Sequence, residues 1–280
     1  MLRRNAPAKI NLGLHVLRRR QDGYHDIETV FIRIPWADVL HAQPSDALHL
    51  SCTEPSLPTG VENLVVQAAR RHDAGRGARL HLEKHLPAGA GLGGGSSDAA
   101  AALLLLDELW ELRRPPQELR DIGVQVGSDV AFFVDGTASA IGSGRGERLE
   151  PLRDPETNEP YLLHAPLVVA VPHVQVPTAE AYRMVQPSEA KRPDLRSIIL
   201  SKDLARWRAE LRNDFEEPVL KAYPAIAATR AALETAGAGY VSLSGSGSAV
   251  FGIFDVDANA EAAAEALRQT GHRVWHGRVA

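Results

Sequence analysis

The 280-residue sequence predicts an α+β fold, and three observations carry that expectation. Segments with strand periodicity and segments with helical composition occur in both halves without regular alternation, unlike a doubly wound parallel sheet. Five glycines within residues 89–95 run directly into an Ala- and Leu-rich helical segment. A stretch with three prolines and four acidic residues, 150–160, interrupts the chain near its middle, as a surface connection does. The domain boundary is placed there, giving an N-terminal domain over 1–156 and a C-terminal domain over 157–280. A chain of this length can bury the core of one large or two modest domains.

Residues 8–16 alternate with period two, which predicts a strand. Ala8, Ile10, Leu12, Leu14 and Val16 fall on one face, and Lys9, Asn11, Gly13 and His15 on the other. The polar turn 18–23 ends in Asp22-Gly23, a strong hairpin signal. Strands are expected at 29–34, 47–51 and 78–83, with a helix over 61–72 between the last two. The glycine run leads into a helix over 99–112, for which Ser97 or Asp98 is a natural N-cap. A helix at 119–126 and a short strand at 139–141 follow. The second half opens on the apolar strand 167–171 and continues with helices near 178–185, 204–211 and 222–236. It closes with a strand at 249–254, a helix at 258–269 and a strand at 273–276. No repeat of fixed period is present.

Composition narrows the function. Net charge is −4, from 31 basic against 35 acidic residues. That balance argues against a nucleic-acid binder, which carries a basic face, but a few well-aimed donors can still hold a phosphorylated ligand. The single cysteine, Cys52, allows neither an internal disulfide nor a multi-cysteine zinc site and suits a reducing compartment. Within Leu50-Ser51-Cys52-Thr53 it reads as a buried structural thiol. The apolar run 99–106 is too short to span a bilayer, and the N-terminal residues lack the apolar stretch of a signal peptide. The expectation is a cytoplasmic protein with no membrane or nucleic-acid partner, a monomer or weak homodimer.

The glycine run has a direct physical reading. Glycines let the backbone approach a ligand closely, and the following helix start offers unpaired N–H groups with a partial positive charge. The result is an anion site suited to nucleotide phosphates. A Walker A loop requires Lys and Ser/Thr after its last glycine, and here Gly95 is followed by Ser96, with no lysine in the loop. A dinucleotide fingerprint, Gly89-x-Gly91-x-x-Gly94, requires an acid closing a second strand about 20 residues later. Asp107, Glu108 and Glu111 lie instead in or at the end of the expected helix. A flexible serine-capped turn is the plain alternative, and clustered glycines make it costly unless they bind something.

The run Pro87-x-Gly89-x-Gly91-Leu92-Gly93-Gly94-Gly95-Ser96-Ser97 resembles the phosphate loop of the GHMP kinase superfamily. Ala8-Lys9-Ile10-Asn11-Leu12, Asp22-Gly23-Tyr24-His25, Gly127-Ser128-Asp129-Val130-Ala131-Phe132-Phe133 and Leu243-Ser244-Gly245-Ser246-Gly247 are similar to one branch of it. That branch phosphorylates a cytidine-diphosphate-linked methylerythritol in non-mevalonate isoprenoid synthesis. The resemblance implies a two-domain GHMP kinase fold: an N-terminal domain like the second domain of ribosomal protein S5, and a ferredoxin-like C-terminal domain, with ATP and substrate meeting between them.

It also implies roles. Phosphoryl transfer asks for a phosphate cradle, a cation at the developing charge and a group that orients or deprotonates the attacking hydroxyl. The ATP cradle is Pro87, Gly89, Ala90, Gly91, Leu92, Gly93, Gly94, Gly95, Ser96 and Ser97. The cation is Lys9, whose plain alternative is a solvated position on an edge strand. The base is Asp129, which by its local setting equally suits a turn or cap. Tyr24 and Tyr182 would sandwich a cytosine whose edge His25 would hydrogen-bond; read from composition alone, all three are ordinary surface or half-buried residues. Asn11 and Thr178 would meet the methylerythritol portion or position Lys9. Mg²⁺ would accompany ATP, bound through phosphate oxygens and water, with the Ser97 hydroxyl as the candidate protein ligand. Gly245-Ser246-Gly247 is either a second backbone loop near the reacting groups or a tight turn. Arg145, in Gly142-Ser143-Gly144-Arg145-Gly146-Glu147, departs from the family pattern, as does the long acidic 150–160 connection. Against this stand another GHMP kinase of homoserine or mevalonate type, and a non-catalytic nucleotide-binding or RNA-associated protein with the same fold.

Overall fold

The computed structural model describes residues 1–190 and 192–279. Two long strands, β1 (Leu2–Arg19) and β2 (His25–Pro44), pair with each other. The turn joining them closes through Arg20 N–H to Tyr24 O at 2.8 Å, with Gly23 at φ +86°. Both strands outrun their expected lengths. The strand expected over 8–16 is present, and both of its faces are buried, the polar one included. The chain divides into two compact units: Met1–Ala8, Ile34–Ala88 and Gly93–Thr137 form the first, and Lys9–Arg33, Gly89–Leu92 and Ala138–Ala280 the second.

In the first unit, the far half of β2 pairs antiparallel with β4 (Ala78–Glu83), and β3 (His49–Cys52) lies parallel to β4. Between β3 and β4 runs α1 (Leu64–His72), capped by Asn63, whose side chain accepts from Val65 N–H at 2.9 Å. This cap sets the helix start at 64 rather than 61. Next come α2 (Gly94–Leu109), α3 (Pro116–Val126) and α4 (Val130–Asp135), with α2 packed on α1 and on α4. The expected start of α2 needs correction. Its N-cap is Gly93, in the left-handed region at φ +70°, so residues 94–97 already form the first turn. A side chain at position 93 would be strained there, and glycine is not. The short helix α4 buries Val130 to Val134 and had no counterpart in the sequence reading. Cys52 is half-buried rather than buried, and its sulfur accepts from Glu54 N–H.

In the second unit, the near half of β2 pairs antiparallel with β5 (Ser139–Gly144), which pairs with β6 (Arg148–Pro151). A four-stranded antiparallel sheet follows, built from β7 (Pro166–Val171), β8 (Tyr240–Leu243), β9 (Val250–Ile253) and β10 (Arg273–Arg278), in the order β10-β7-β9-β8. Helices α5 (Thr178–Met184), α6 (Leu195–Leu200), α7 (Leu204–Glu210), α8 (Glu216–Ala222) and α9 (Pro224–Thr235) separate β7 from β8, and α10 (Asp257–Gln269) separates β9 from β10. One strand, helical crossover, hairpin, helix, strand, with the last strand beside the first, is the ferredoxin-like arrangement. Its core gathers Val168, Ala170, Phe215, Ile226, Val250 and Ala264. No helix among the described residues is long and apolar enough to cross a membrane.

Candidate active site

The strand β1 places Lys9 in the second unit, where the residue is only 4% exposed. An edge-strand, solvated lysine is therefore excluded. Its ammonium donates to Asn11 Oδ1 at 2.7 Å and to the Gly91 carbonyl at 3.0 Å, and lies 5.4 Å from the centre of the Phe31 ring. The amide of Asn11, itself 1% exposed, passes the constraint on: Nδ2 donates to Thr29 Oγ1 at 2.9 Å, and that hydroxyl donates to Gly13 O at 2.7 Å. Two residues apart on one strand face, Lys9 and Asn11 meet as the period-two pattern predicts.

The Gly89–Leu92 part of the glycine run belongs to the same unit. The Lys9 N–H donates to Leu92 O at 2.9 Å, and Ala249 N–H donates to Ala90 O at 3.0 Å. Gly91 sits at φ +79°, and a Cβ there would come 2.1 Å from the Ser244 carbonyl oxygen. Ser244 Oγ in turn donates to Gly91 O at 2.9 Å. Only glycine admits this approach, so the first glycine run and the 244–247 turn are fitted to one another. A Cβ on Gly245 would lie 3.4 Å from Asn11 Oδ1 and 3.6 Å from Lys9 Nζ, which puts the second glycine turn at the ammonium.

In the first unit, Gly93 to Ser97 form the start of α2, and no side chain caps that terminus. Its first N–H groups and the positive end of its dipole are left for an anion. The Ser97 hydroxyl is buried and has no hydrogen-bond partner, so a lone pair is available as an oxygen ligand. Asp129 stands directly before α4 and is half-buried, and its carboxylate makes no capping bond to that helix. The turn that carries it runs beside the loop, since a Cβ on Gly127 would lie 3.6 Å from Ser96 Oγ.

One group escaped the sequence reading. Lys84, just before the loop, pairs with Asp38 and, at 2.8 Å, with Asp98 in the first turn of α2. Asp38 also accepts the N–H groups of His85 at 2.5 Å and Leu86 at 2.8 Å. The three side chains are buried, and together they tie the chain entering the glycine run to the chain leaving it. Burial pushes the Asp98 carboxyl up to about 7; the opposing pull of Lys84 is partly offset by the neighbouring Asp38. Burial alone would lower Lys84, but the two carboxylates outweigh it and leave its ammonium raised. The one available signal was an aspartate opening an otherwise apolar Ala-Leu helix.

The expected base-binding residues fall into two aromatic contacts in the second unit. His25 stacks on Tyr182, with ring centres 4.7 Å apart and planes 13° from parallel, and Phe215 meets Tyr182 edge-on at 4.9 Å. Tyr24 is 56% exposed and lies under the guanidinium of Arg145, at 5.0 Å. The ring laid on Tyr182 is thus that of His25, not Tyr24. Burial, and secondarily Arg19, lower the His25 pKa, which favours the neutral imidazole. Thr178 opens α5 in an exposed position, one turn before Tyr182 on the same helix. No group of three or more His, Cys, Asp or Glu among the described residues is placed to hold a metal ion.

Comparison with known proteins adds the family. The model of the GHMP kinases N terminal domain matches residues 63–137, and that of the GHMP kinases C terminal matches 193–273. A protein of Salinibacter ruber named 4-diphosphocytidyl-2-C-methyl-D-erythritol kinase is 53% identical over 271 residues, 95% of each chain. A crystal structure of 4-(cytidine 5'-diphospho)-2C-methyl-D-erythritol kinase superposes with a TM-score of 0.80 at 39% identity, covering 99% of both chains. A mevalonate kinase, at 14% identity and a TM-score of 0.71 over 100% of this chain and 99% of its own, shares the fold alone. Family models, a close relative and a full-length structural match converge: the chain is an ATP-dependent small-molecule kinase that belongs to the GHMP kinases, in the family of the 4-diphosphocytidyl-2-C-methyl-D-erythritol kinases.

Proposed function

We propose that this kinase transfers the γ-phosphoryl group of ATP to the 2-hydroxyl of 4-diphosphocytidyl-2-C-methyl-D-erythritol, a step of non-mevalonate isoprenoid synthesis. The observation that carries the reaction class is the buried Lys9 ammonium, held on the carbonyl of Gly91 within the glycine run. A buried cation fixed at a phosphate loop serves charge that develops in a transition state. The acceptor is supported by the named relatives and by the aromatic residues Tyr24, His25 and Tyr182.

The triphosphate lies along Pro87 to Ser97, with the N-terminus of α2 as its anion site. The 2-hydroxyl oxygen attacks the γ-phosphorus, the bond to the bridging oxygen breaks, ADP leaves, and the hydroxyl proton passes to Asp129. Lys9 offsets the charge on the transferring group, and Asn11 holds Lys9 in place. Mg²⁺, which neutralises phosphate charge when bound, fits a site of phosphate oxygens, water and Ser97 Oγ. Tyr24 and Tyr182 sandwich the cytosine and His25 hydrogen-bonds its edge, on which selection rests, because stacking alone holds any base. Thr178 meets the methylerythritol portion. The boundary near 150–160 is supported by the two family matches lying on either side of it, although the compact units divide the chain elsewhere. A cytoplasmic monomer or weak homodimer completes the reading.

The test is ADP release from purified protein with Mg-ATP and a panel of acceptors: the cytidine compound, methylerythritol phosphate, homoserine and mevalonate. Turnover with the cytidine compound alone is expected, with Asp129→Asn lowering kcat by about a hundredfold or more, as loss of a general base does. Turnover with homoserine or mevalonate instead would discard the cytosine site and keep the kinase. Near-normal turnover of Asp129→Asn would remove it as the base.

A further inference from the structure

We propose that Asn213 is a positioning residue for phosphoryl transfer, acting through the 243–245 turn to hold the Lys9 ammonium in place. Asn213 is buried, and its amide is fully engaged. Nδ2 spends both hydrogens on one turn, at 2.8 Å from Leu243 O and 2.9 Å from Gly245 O, while Oδ1 accepts from Phe215 N–H at 3.0 Å. Few side chains could do this: two donors in one plane with an acceptor beside them is the amide pattern.

The segment that carries Asn213 also grips β1, three residues beyond Asn11. Leu14 N–H donates to Arg212 O at 2.8 Å, Asp214 N–H donates to Leu14 O at 2.9 Å, and Val16 N–H donates to the Asp214 carboxylate at 2.7 Å. Arg192 donates to both oxygens of that carboxylate, at 2.6 and 2.7 Å. Residues 212–214 therefore fix the strand bearing Lys9 by backbone bonds, and fix the turn by the Asn213 amide.

The turn reaches the ammonium by two routes already described: Ser244 Oγ and Lys9 Nζ share the carbonyl of Gly91, and Gly245 backs directly onto Lys9. Loosening the turn frees the Gly91 carbonyl and opens space beside Nζ. Displacements of about 1 Å at a reacting group can cost about a hundredfold in rate. A residue that served the fold alone would change stability and leave this relay untouched.

The proposal rests on the reading of Lys9 as charge stabiliser, so Lys9→Met is measured beside it. Asn213→Asp keeps the shape and the acceptor but turns an oxygen toward two carbonyls. The expected result is a kcat lower by about 10–100-fold, with both KM values within about threefold, and no further loss when it is combined with Lys9→Met. If Asn213→Asp does not fold, Ser244→Ala, which cuts only the bond to Gly91 O, carries the same test with a smaller fall. A folded Asn213→Asp or Ser244→Ala with parental kcat overturns the proposal, whatever Lys9 does. Losses that multiply in the double variant overturn it too, because Asn213 would then act independently of Lys9. Parental turnover in Lys9→Met removes the reading beneath the proposal and the proposal with it, whereas a crippled Lys9→Met beside an unaffected Asn213→Asp sinks only the latter.

Discussion

A carboxyl as deep as that of Asp98 keeps its proton to about pH 7 in the folded chain, but gives it up near pH 4 once the chain unfolds and water reaches it. Between those values the folded form binds more protons. The stability it contributes is therefore complete below about pH 4 and lost as pH rises through about 7. An amide in its place does not titrate, so Asp98→Asn should gain stability relative to the parent as pH goes from 5.5 to 8.5. Urea unfolding of both proteins at three pH values checks this; a difference that stays flat would mean that Asp98 is ionised throughout. The residues that matter here were unevenly legible. Lys9 and Asn11 announced themselves as polar side chains in an apolar strand. Asp38 gave no sign, because what makes it matter is its bond to Lys84, 46 positions away, and no local pattern encodes that.

The start of α2 shows how a sound local rule can miss. Capping preference points to a serine or aspartate, yet the helix begins after Gly93, whose left-handed backbone needs no side chain to turn the chain into the helix. The bare terminus left behind is what an anion requires. The helix α4 went unread for another reason: five apolar residues fit a strand or a helix equally, and only tertiary packing decides. Within the glycine run, Gly91 is the position with least room. Gly91→Ala places a methyl group against the Ser244 carbonyl and should weaken binding of a non-hydrolysable ATP analogue by about tenfold or more, ~1.4 kcal/mol. Calorimetric titration measures it, and unchanged affinity would take residues 89–92 out of the nucleotide cradle.

For the molecule as a whole, composition and charge bounded the class but did not name the fold; that came from motifs spread along the chain, and the ferredoxin-like sheet order followed from the family rather than from periodicity. The two compact units were illegible, since each is assembled from separated stretches. Nucleotide binding offers a test at this scale. Mg-ATP at a hundred times its Kd should raise the unfolding free energy by about 2.7 kcal/mol if the chain unfolds in one step. Calorimetry that shows two transitions, with one shifted by ATP and the other unmoved, would mean that the units melt separately.

The bond from Val16 to Asp214 spans 198 positions, and this has a consequence during synthesis. A ribosome adding about 5–20 residues per second needs roughly 10–40 s to travel from one partner to the other. For that interval the strand that carries Lys9 waits, apolar and without residues 212–214 to hold it, and exposed apolar strands of this kind are what make a nascent chain prone to aggregate until the partner segment emerges.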